Sequence, residues 1–570
     1  MKQFLLLLLL LSQQILFSQT DSLVIHGNNI EALLNSNGSL FWDGENGHFI
    51  AGEDGRPTIR AAGLWLAGAD AGGNLKGAIQ MYNADGRSDF VPGLIDDTLN
   101  TENWNRIWKV TGEDILLHIR DIKTDYVIDD TIPSIFGWPG RGNPFFEQFN
   151  GFPLPDISRH RLAPFYDGDL DGIYEPQFGD FPMNDIRNCG SVPVPAEFAW
   201  FTFHDNTNHT ESGMLPMNIE ISTEVTAYRC TGNEFANNSI LLSYKITNMA
   251  QEDIDSCYFG MFFDFQIGCP DDDYVATIPE KNIFYVYNSD GFDEDCGDFI
   301  GFHENPPVVA VTLLRGPGDE FLSELPLSVV MPIYDGTTIP GQAPPEQPVE
   351  YYNYLSGSWK DGTPLTNGGT GYNPGSTDFT NFIFPGRPGK DGYGWTEPEA
   401  GTTPGRRRVI ASYGPFTLQP NAVNAIYVII TQLPAANGPH LANLNTVYDS
   451  LFEAFGFFYN GCIDPTPAYP KCTEDIEIPP LPPDPPPPPL PEEFIISPNP
   501  VSETLQVQIR DPRLVERLSV YDATGRLVFE RKDLSDVLDI GVGDWPKGTY
   551  FVRLEKGEEQ FVKGFVVMRR

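Results

Sequence analysis

The sequence predicts a mostly β protein: one or two β-sandwich-like domains with long Gly/Pro/aromatic loops and one packed helix, then a small C-terminal β-sandwich. Three observations predict it. Apolar residues alternate with period two in Ser239–Asn248, where Ile240, Leu242, Tyr244 and Ile246 share one face. The 570 residues include 55 Gly and 51 Pro, a turn-rich composition that suits many short strands. Hydrophobic residues make up 41% of the chain and aromatic residues 12%, enough to build sizeable cores and to exclude wholesale disorder.

Taken in order, residues 1–18 carry one Lys and then seven consecutive Leu after Phe4, the pattern of a secretory signal peptide cleaved near Ser18. No Cys sits near that junction, so a lipid anchor is not expected, and no later run reaches the length of a membrane span. Residues 19–214 form a β-rich N-terminal region. Ser39–Trp42, Ile59–Leu66 and Leu75–Met81 read as strands between turns at Asp43-Gly44, Asp54-Gly55 and Ala71-Gly72-Gly73. Ile115, Leu116 and Ile119 suggest a short helix within Trp104–Asp121. Residues 133–200, rich in Pro, Gly and aromatics, are expected to wrap over a sheet as ordered loops.

Residues 215–478 are the β-sandwich body. Phe259, Met261, Phe263 and Phe265 share a strand face, and Val409–Ile430 forms a hairpin around Gln419-Pro420-Asn421. An aromatic, Gly-rich insertion spans 345–400. In Pro439–Phe458, Leu441, Leu444, Tyr448, Leu451 and Phe455 make the single apolar stripe of a helix packed across one sheet. Residues 479–491 (PPLPPDPPPPPLP) form a polyproline linker, a rod of about 40 Å at ~3.1 Å per residue.

Residues 492–570 alternate in short strands around tight turns. Asp522–Gly525 turns a hairpin in which Gly525 takes positive φ, and Pro546-Lys547-Gly548 makes a second turn. Four phrases in this stretch, Ser497-Pro498-Asn499-Pro500, Tyr521 with Thr524-Gly525-Arg526, Lys547-Gly548-Thr549-Tyr550 and the basic C-terminal end, resemble the type A C-terminal sorting domain of the type IX (Por) secretion system of Bacteroidota. The resemblance implies a protein delivered to the outer cell surface or the medium, with the outer-membrane export machinery as partner. It implies sorting roles for Pro498, Asn499, Pro500, Gly525, Lys547, Gly548 and Tyr550. The body also resembles uncharacterised secreted proteins of those bacteria through Ala62-Gly63-Leu64-Trp65, Ser243–Asn248 and Gly414–Leu418, a likeness that carries no activity with it.

Asp and Glu number 78 against 36 Lys and Arg, a formal net charge of −42, nearly all of it before residue 492. Such a field excludes nucleic acid and anionic membranes as partners of the body, and the composition reads as a solvated acidic coat. An exported chain can keep disulfides. Of its seven Cys, Cys462 and Cys472 are the expected pair, and Cys257, Cys269 and Cys296, with Cys230, can supply another. The odd count leaves at least one thiol unpaired.

The sharpest local constellation is Asp167-Gly168-Asp169-Leu170-Asp171-Gly172-Ile173-Tyr174-Glu175. Carboxylates at positions one, three and five with Gly at six match the first half of a calcium loop, because alternate residues aim oxygens at one centre. Position twelve is Phe178 rather than Glu, so Glu175 or Asp180 is expected to close the shell around Ca2+. A second acidic group (Asp271–Asp273, Asp290, Asp293, Asp295, Asp298) reads as a solvated loop. The eight His form no zinc motif, and no nucleophile elbow, Walker loop or dinucleotide fingerprint is present, so no catalytic residue is assigned. Tripeptides such as Asp21-Ser22-Leu23 and Asp130-Thr131-Ile132 resemble O-glycosylation sites. The expectation is a non-catalytic, calcium-stabilised binding, adhesion or structural protein. The alternative is an extracellular hydrolase or carbohydrate-binding protein that uses Trp359, Tyr372, Tyr393 and Trp395 as a sugar platform.

Overall fold

The computed structural model describes residues 20–433, apart from 53–54, 84–85, 98–100, 126, 156–159, 186–193, 319–323 and 391–393, then Leu444, and residues 494–568 apart from 558. The signal peptide, the polyproline linker, Tyr393, Cys189, Cys462, Cys472 and all of the 439–458 stripe except Leu444 lie outside the described residues. The chain divides into two compact units, Met1–Glu477 and Ile478–Arg570.

The first unit is built on two antiparallel sheets. The larger has nine strands and runs Asp273–Ile278, Ile283–Asn288, Val308–Arg315, Val423–Leu433, Ser239–Asn248, Ile219–Ala227, Glu197–His204 and Val91–Pro92, with Trp108–Thr111 also paired to Glu197–His204. The smaller runs Val329–Ile333, Arg408–Leu418, Ile254–Phe265, Ile59–Ala69 and Leu75–Ile79. One core fills the space between them: Ile240, Leu242, Tyr244 and Ile246 from the larger sheet meet Trp65, Phe259, Met261 and Phe263 from the smaller. Phe284 contacts Phe263 and Phe265 across the layer, with ring centroids 5.7 and 6.0 Å apart. The predicted alternation is therefore the inner face of a sandwich.

The strands before and after the expected division at 214/215 belong to the same sheets. Ile59–Ala69 pairs with Ile254–Phe265, and Glu197–His204 pairs with Ile219–Ala227. Residues 19–214 and the strands beyond them are one body, because the pairing that joins them is long-range and leaves no mark on local periodicity.

The larger sheet is buried on its back face as well. Leu241, Tyr427 and Ile429 pack with Tyr228 and Leu314. Leu444, from the expected helix, is buried with Tyr285, Tyr287 and Leu433. At the far end, Trp108, Val110, Phe198 and Trp200 are covered by Trp104, Phe136, Trp138, Phe146 and Tyr174, so the Pro- and aromatic-rich segment does wrap the sheet. The helix expected within Trp104–Asp121 runs Gly112–Asp125; Thr111 Oγ1 accepts from Asp114 N at 3.1 Å, while Glu113 and Asp114 meet the positive end of its dipole.

The second unit has a core of its own between a three-stranded sheet (Phe494–Ser497, Thr504–Ile509, Val537–Gly541) and a four-stranded one (Leu527–Arg531, Arg517–Asp522, Gly548–Lys556, Glu559–Val567). Gly525 takes φ 83°, and Asp522 Oδ1 accepts from the N–H groups of Thr524 and Arg526, which fixes the hairpin turn.

The connections of the first unit are stapled by buried carboxylates. Asp89, fully buried, accepts from Ile79 N at 3.0 Å, Glu211 N at 2.9 Å, and the N–H and hydroxyl of Ser212. Asp89→Ala strands those donors away from water and is expected to lower stability by at least about 3 kcal/mol, read as the shift in urea midpoint at constant m-value.

Candidate functional site

The calcium-type loop hangs from a two-stranded ribbon, Phe165–Tyr166 paired with Phe181–Pro182. The ribbon is fixed from both sides. Tyr166 stacks on Phe181 (centroids 4.7 Å, interplanar angle 11°), and Phe165 meets Tyr174 edge-on at 5.1 Å. Tyr174 is fully buried and donates its hydroxyl to Ile135 O at 2.9 Å. Within the loop, Asp167 accepts from Leu170 N at 2.7 Å and Gly172 N at 2.8 Å, and Asp171 accepts from Ile173 N at 2.7 Å. Leu170 takes φ 64° and Gly172 φ 78°, the left-handed turns that bring the alternate carboxylates together. The oxygens of Asp167, Asp169 and Asp171 lie within 4.8 Å of one another. Oxygens that bind one Ca2+ at about 2.4 Å are separated by no more than about 4.8 Å, so these three residue types at this spacing fit that ion.

Asp180 acts as a brace. It is buried, and it accepts from Gly168 N at 3.0 Å and Glu175 N at 2.9 Å, closing the loop end to end. Burial and the neighbouring charges of Asp167 and Asp169 push its carboxyl up, against the pull of those two N–H groups. Glu175 is raised by desolvation and by the charges of Asp171, Asp169 and Asp180. Asp167 is instead held low, because the Gly172 and Leu170 N–H groups outweigh its desolvation. Phe178, at position twelve, is 72% exposed.

The second acidic group differs from the expected solvated loop. Asp273 and Asp293 are fully buried. Asp293 accepts from Cys269 N at 2.9 Å and Phe302 N at 2.6 Å, and Asp273 accepts from Ile267 N at 3.3 Å. These carboxylates fold the loops inward. Cys269 and Cys296 form a disulfide (Cα–Cα 5.5 Å), so Asp271, although grouped with their sulfurs, has no thiolates beside it to share a metal. Cys230 is also disulfide-bonded, and Cys257 is a free, buried thiol pushed up by desolvation.

The aromatic insertion is pinned down. Trp359 is fully buried, with Nε1 donating to Gly371 O at 2.9 Å. Trp395 Nε1 donates to Gly369 O at 2.9 Å, and the Tyr372 hydroxyl to Asp361 at 2.7 Å. These bonds tie the Gly-rich turns of the insertion together, with Trp359 inside the core and Tyr372 and Trp395 half-buried.

In the second unit the Ser-Pro-Asn-Pro phrase covers the edge of the last strand. Asn499 Oδ1 accepts from Val566 N at 3.0 Å and Nδ2 donates to Gly564 O at 3.1 Å. Val501 continues the cover, donating to Val566 O and accepting from Met568 N, both at 2.9 Å. Pro498 and Pro500 flank Asn499, so the segment lines that edge while exposing few donors of its own. The Tyr550 hydroxyl donates to Pro546 O at 2.7 Å across the turn that carries exposed Lys547 and half-buried Gly548.

Residues 496–568 match the family described as the secretion system C-terminal sorting domain. The protein is accordingly secreted, extracellular or on the cell surface, and its sorting domain engages the type IX secretion machinery. No helix among the described residues is long and apolar enough to cross a membrane. No curated protein matches the chain. Among solved structures, a polysaccharide lyase aligns at 8% identity and a TM-score of 0.18, over 71% of this chain and 39% of that one. The chain thus spans about two fifths of that protein's length.

Sequence reasoning passed over the buried titratable groups, since an Asp or Glu in a loop gives no sign of burial. Desolvation pushes Glu211 up to about 7 in spite of Arg87. It pushes Asp272 up to about 7 with help from Asp293 and Glu294. Burial drives His204 down to about 4. A carboxyl raised in the folded state holds its proton there, so its stabilising contribution is present at low pH and is lost as pH rises through about 7. His204 acts in the opposite sense, but only below its unfolded value of about 6.5. The melting temperature of the first unit is therefore expected to rise on acidification from about pH 8 to 6.5, and Asp272→Asn with Glu211→Gln to flatten that slope. A melting temperature that falls over this window contradicts the assignment.

Proposed function

We propose that this exported protein is a calcium-stabilised binding, adhesion or structural protein of the cell surface or its surroundings, with Ca2+ held by Asp167, Asp169 and Asp171 and the shell closed by Glu175 beside the brace Asp180. The observation that carries the reading is the convergence of three carboxylates on a loop whose own backbone already fixes their directions. Like charges this close repel, and the ordinary remedies are protonation or a cation. Outside the cell, millimolar calcium is the usual cation, and a loop of this kind binds it at the weak end of the calcium range. Ca2+ here has a bracing role: it would tie the loop to the ribbon and so to the aromatic layer behind the larger sheet. The runner-up, a hydrolase or glycan binder working through the 345–400 loops, has less support, because Trp359 is buried and Trp395 and Tyr372 are hydrogen-bonded into the insertion.

Two measurements check the reading. Thermal unfolding with calcium and with chelator should differ, by about 2.7 kcal/mol of stabilisation at a hundredfold excess over Kd. Asp169→Ala with Asp171→Ala should abolish the difference; an equal melting temperature with and without calcium refutes the cation. Separately, deleting Phe494–Arg570 should trap the protein in the periplasm, and normal export without that segment refutes the sorting role of the second unit.

A further inference from the structure

Beside the calcium-type loop lies a cavity of about 540 Å³, between the helix Gly112–Asp125 and the Phe165–Tyr166/Phe181–Pro182 ribbon. Its walls are of two kinds. Ile119 and Ile122 of the helix, with Tyr166, Phe178 and Phe181, make an apolar surface, and Asp169, Glu175 and Asp180 make an acceptor-rich one. Lys123 is its one cationic lining residue. Tyr166 is 50% exposed and Phe178 72%, a large apolar surface to leave in water beside a concavity. The Tyr166 ring is held in plane by its stack on Phe181, so its direction is fixed before any ligand arrives. Gly179, at φ 104°, lets the loop close on the helix: a Cβ there would stand 3.3 Å from Ile122.

We propose that this cavity is a binding site for an uncharged saccharide. A sugar ring has a C–H face that packs on a fixed aromatic plane and an edge of hydroxyl donors. The cavity offers both counterparts at once, aromatic faces on one side and carboxylate oxygens that accept hydrogen bonds on the other. The volume falls in the range of ligand clefts, about 300–1,000 Å³. A polyanionic sugar is disfavoured by three lining carboxylates against one Lys and by the −42 of the chain. A purely apolar ligand would desolvate Asp169 and Glu175 without replacing their hydrogen bonds. The site extends the binding reading given above and relocates it from the 345–400 insertion; Asp169, Glu175 and the brace Asp180 belong to both sites.

The test is isothermal titration of the full-length chain, in chelator and again in calcium. The neutral probes are cellohexaose, mannohexaose, xylohexaose, laminarihexaose and chitohexaose N-acetylated throughout, with oligogalacturonate and spermine as charged contrasts. The expected result is millimolar or tighter binding of at least one neutral oligosaccharide. Phe178→Ala, which removes an exposed ring and leaves the melting temperature unchanged, should weaken that binding about tenfold, with a comparable or larger loss in Tyr166→Ala. Binding that persists in chelator with this variant pattern supports the site whatever the calcium melts report. Binding seen in calcium alone, with the same pattern, supports the site and couples it to the loop. The proposal is overturned if no neutral probe binds, if only spermine or oligogalacturonate binds, or if Phe178→Ala binds as tightly as the unaltered protein.

Discussion

The architecture of the first unit depends on backbone donors that no sheet or helix satisfies. Long connections cross the back and ends of a large sandwich, and each N–H buried there without a partner costs about 1–3 kcal/mol. Side-chain carboxylates supply the partners. Asp89 holds Ile79, Glu211 and Ser212; Asp205 holds Met217 at 2.5 Å and Ile219 at 2.7 Å. Glu397 accepts from Val275 N at 2.6 Å while paired with Arg407 at 2.9 Å. Glu220 takes Ile95 N at 3.0 Å and the His160 ring at 2.8 Å. Asp180 and Asp293 do the same for the loops they close. Burial raises several of these groups, and their hydrogen bonds are what keep charge tolerable inside.

This changes the meaning of the acidic composition. Read as a count, 78 acids describe a solvated coat. Read in place, a part of them is internal scaffolding, and the same short reach that lets Asp accept two or three neighbouring N–H groups gives the calcium-type loop its shape. The loop at 167–175 and the buried staples are one device at different depths: carboxylates ordered by backbone N–H groups, facing water in the first case and protein in the second.

Much of this was legible in the chain. The alternation of Ser239–Asn248, the wrapping role of the 133–200 segment and the turn at Gly525 all follow from local pattern, and the structure places them as expected. The expected hairpin around Gln419–Asn421 is instead a crossover between layers: Arg408–Leu418 pairs in the smaller sheet and Val423–Leu433 in the larger, a choice of partner that the two strand patterns do not encode. The triad Asp167, Asp169 and Asp171 was also readable, because loop chemistry is written in consecutive residues. The division at 214/215 misled, since Ile59–Ala69 finds its partner in Ile254–Phe265 through the same strand-forming residues that would suit any neighbour. The burial of Asp273 and Asp293 could not be read either: their partners, Ile267, Cys269 and Phe302, are backbone groups with no signature in side-chain type. The cavity beside Tyr166 was hidden for a related reason, as its two walls come from a helix and a ribbon that are far apart along the chain.

The order of strands in the smaller sheet sets a kinetic condition on the molecule. Ile59–Ala69 is hydrogen-bonded to Ile254–Phe265, which in turn needs Arg408–Leu418 on its other side. In the larger sheet Ser239–Asn248 is completed by Val423–Leu433. Neither layer can close from its N-terminal end as the chain emerges. Ile59–Ala69 finds Leu75–Ile79 nearby, and Glu197–His204 pairs with Ile219–Ala227 and that strand with Ser239–Asn248, but the remaining edge of each group must wait for a strand far along the chain. Such high contact order implies slow acquisition of structure. A long interval as an open chain makes the strong like-charge repulsion of the body useful in a second way, as protection against self-association while the sheets are still incomplete.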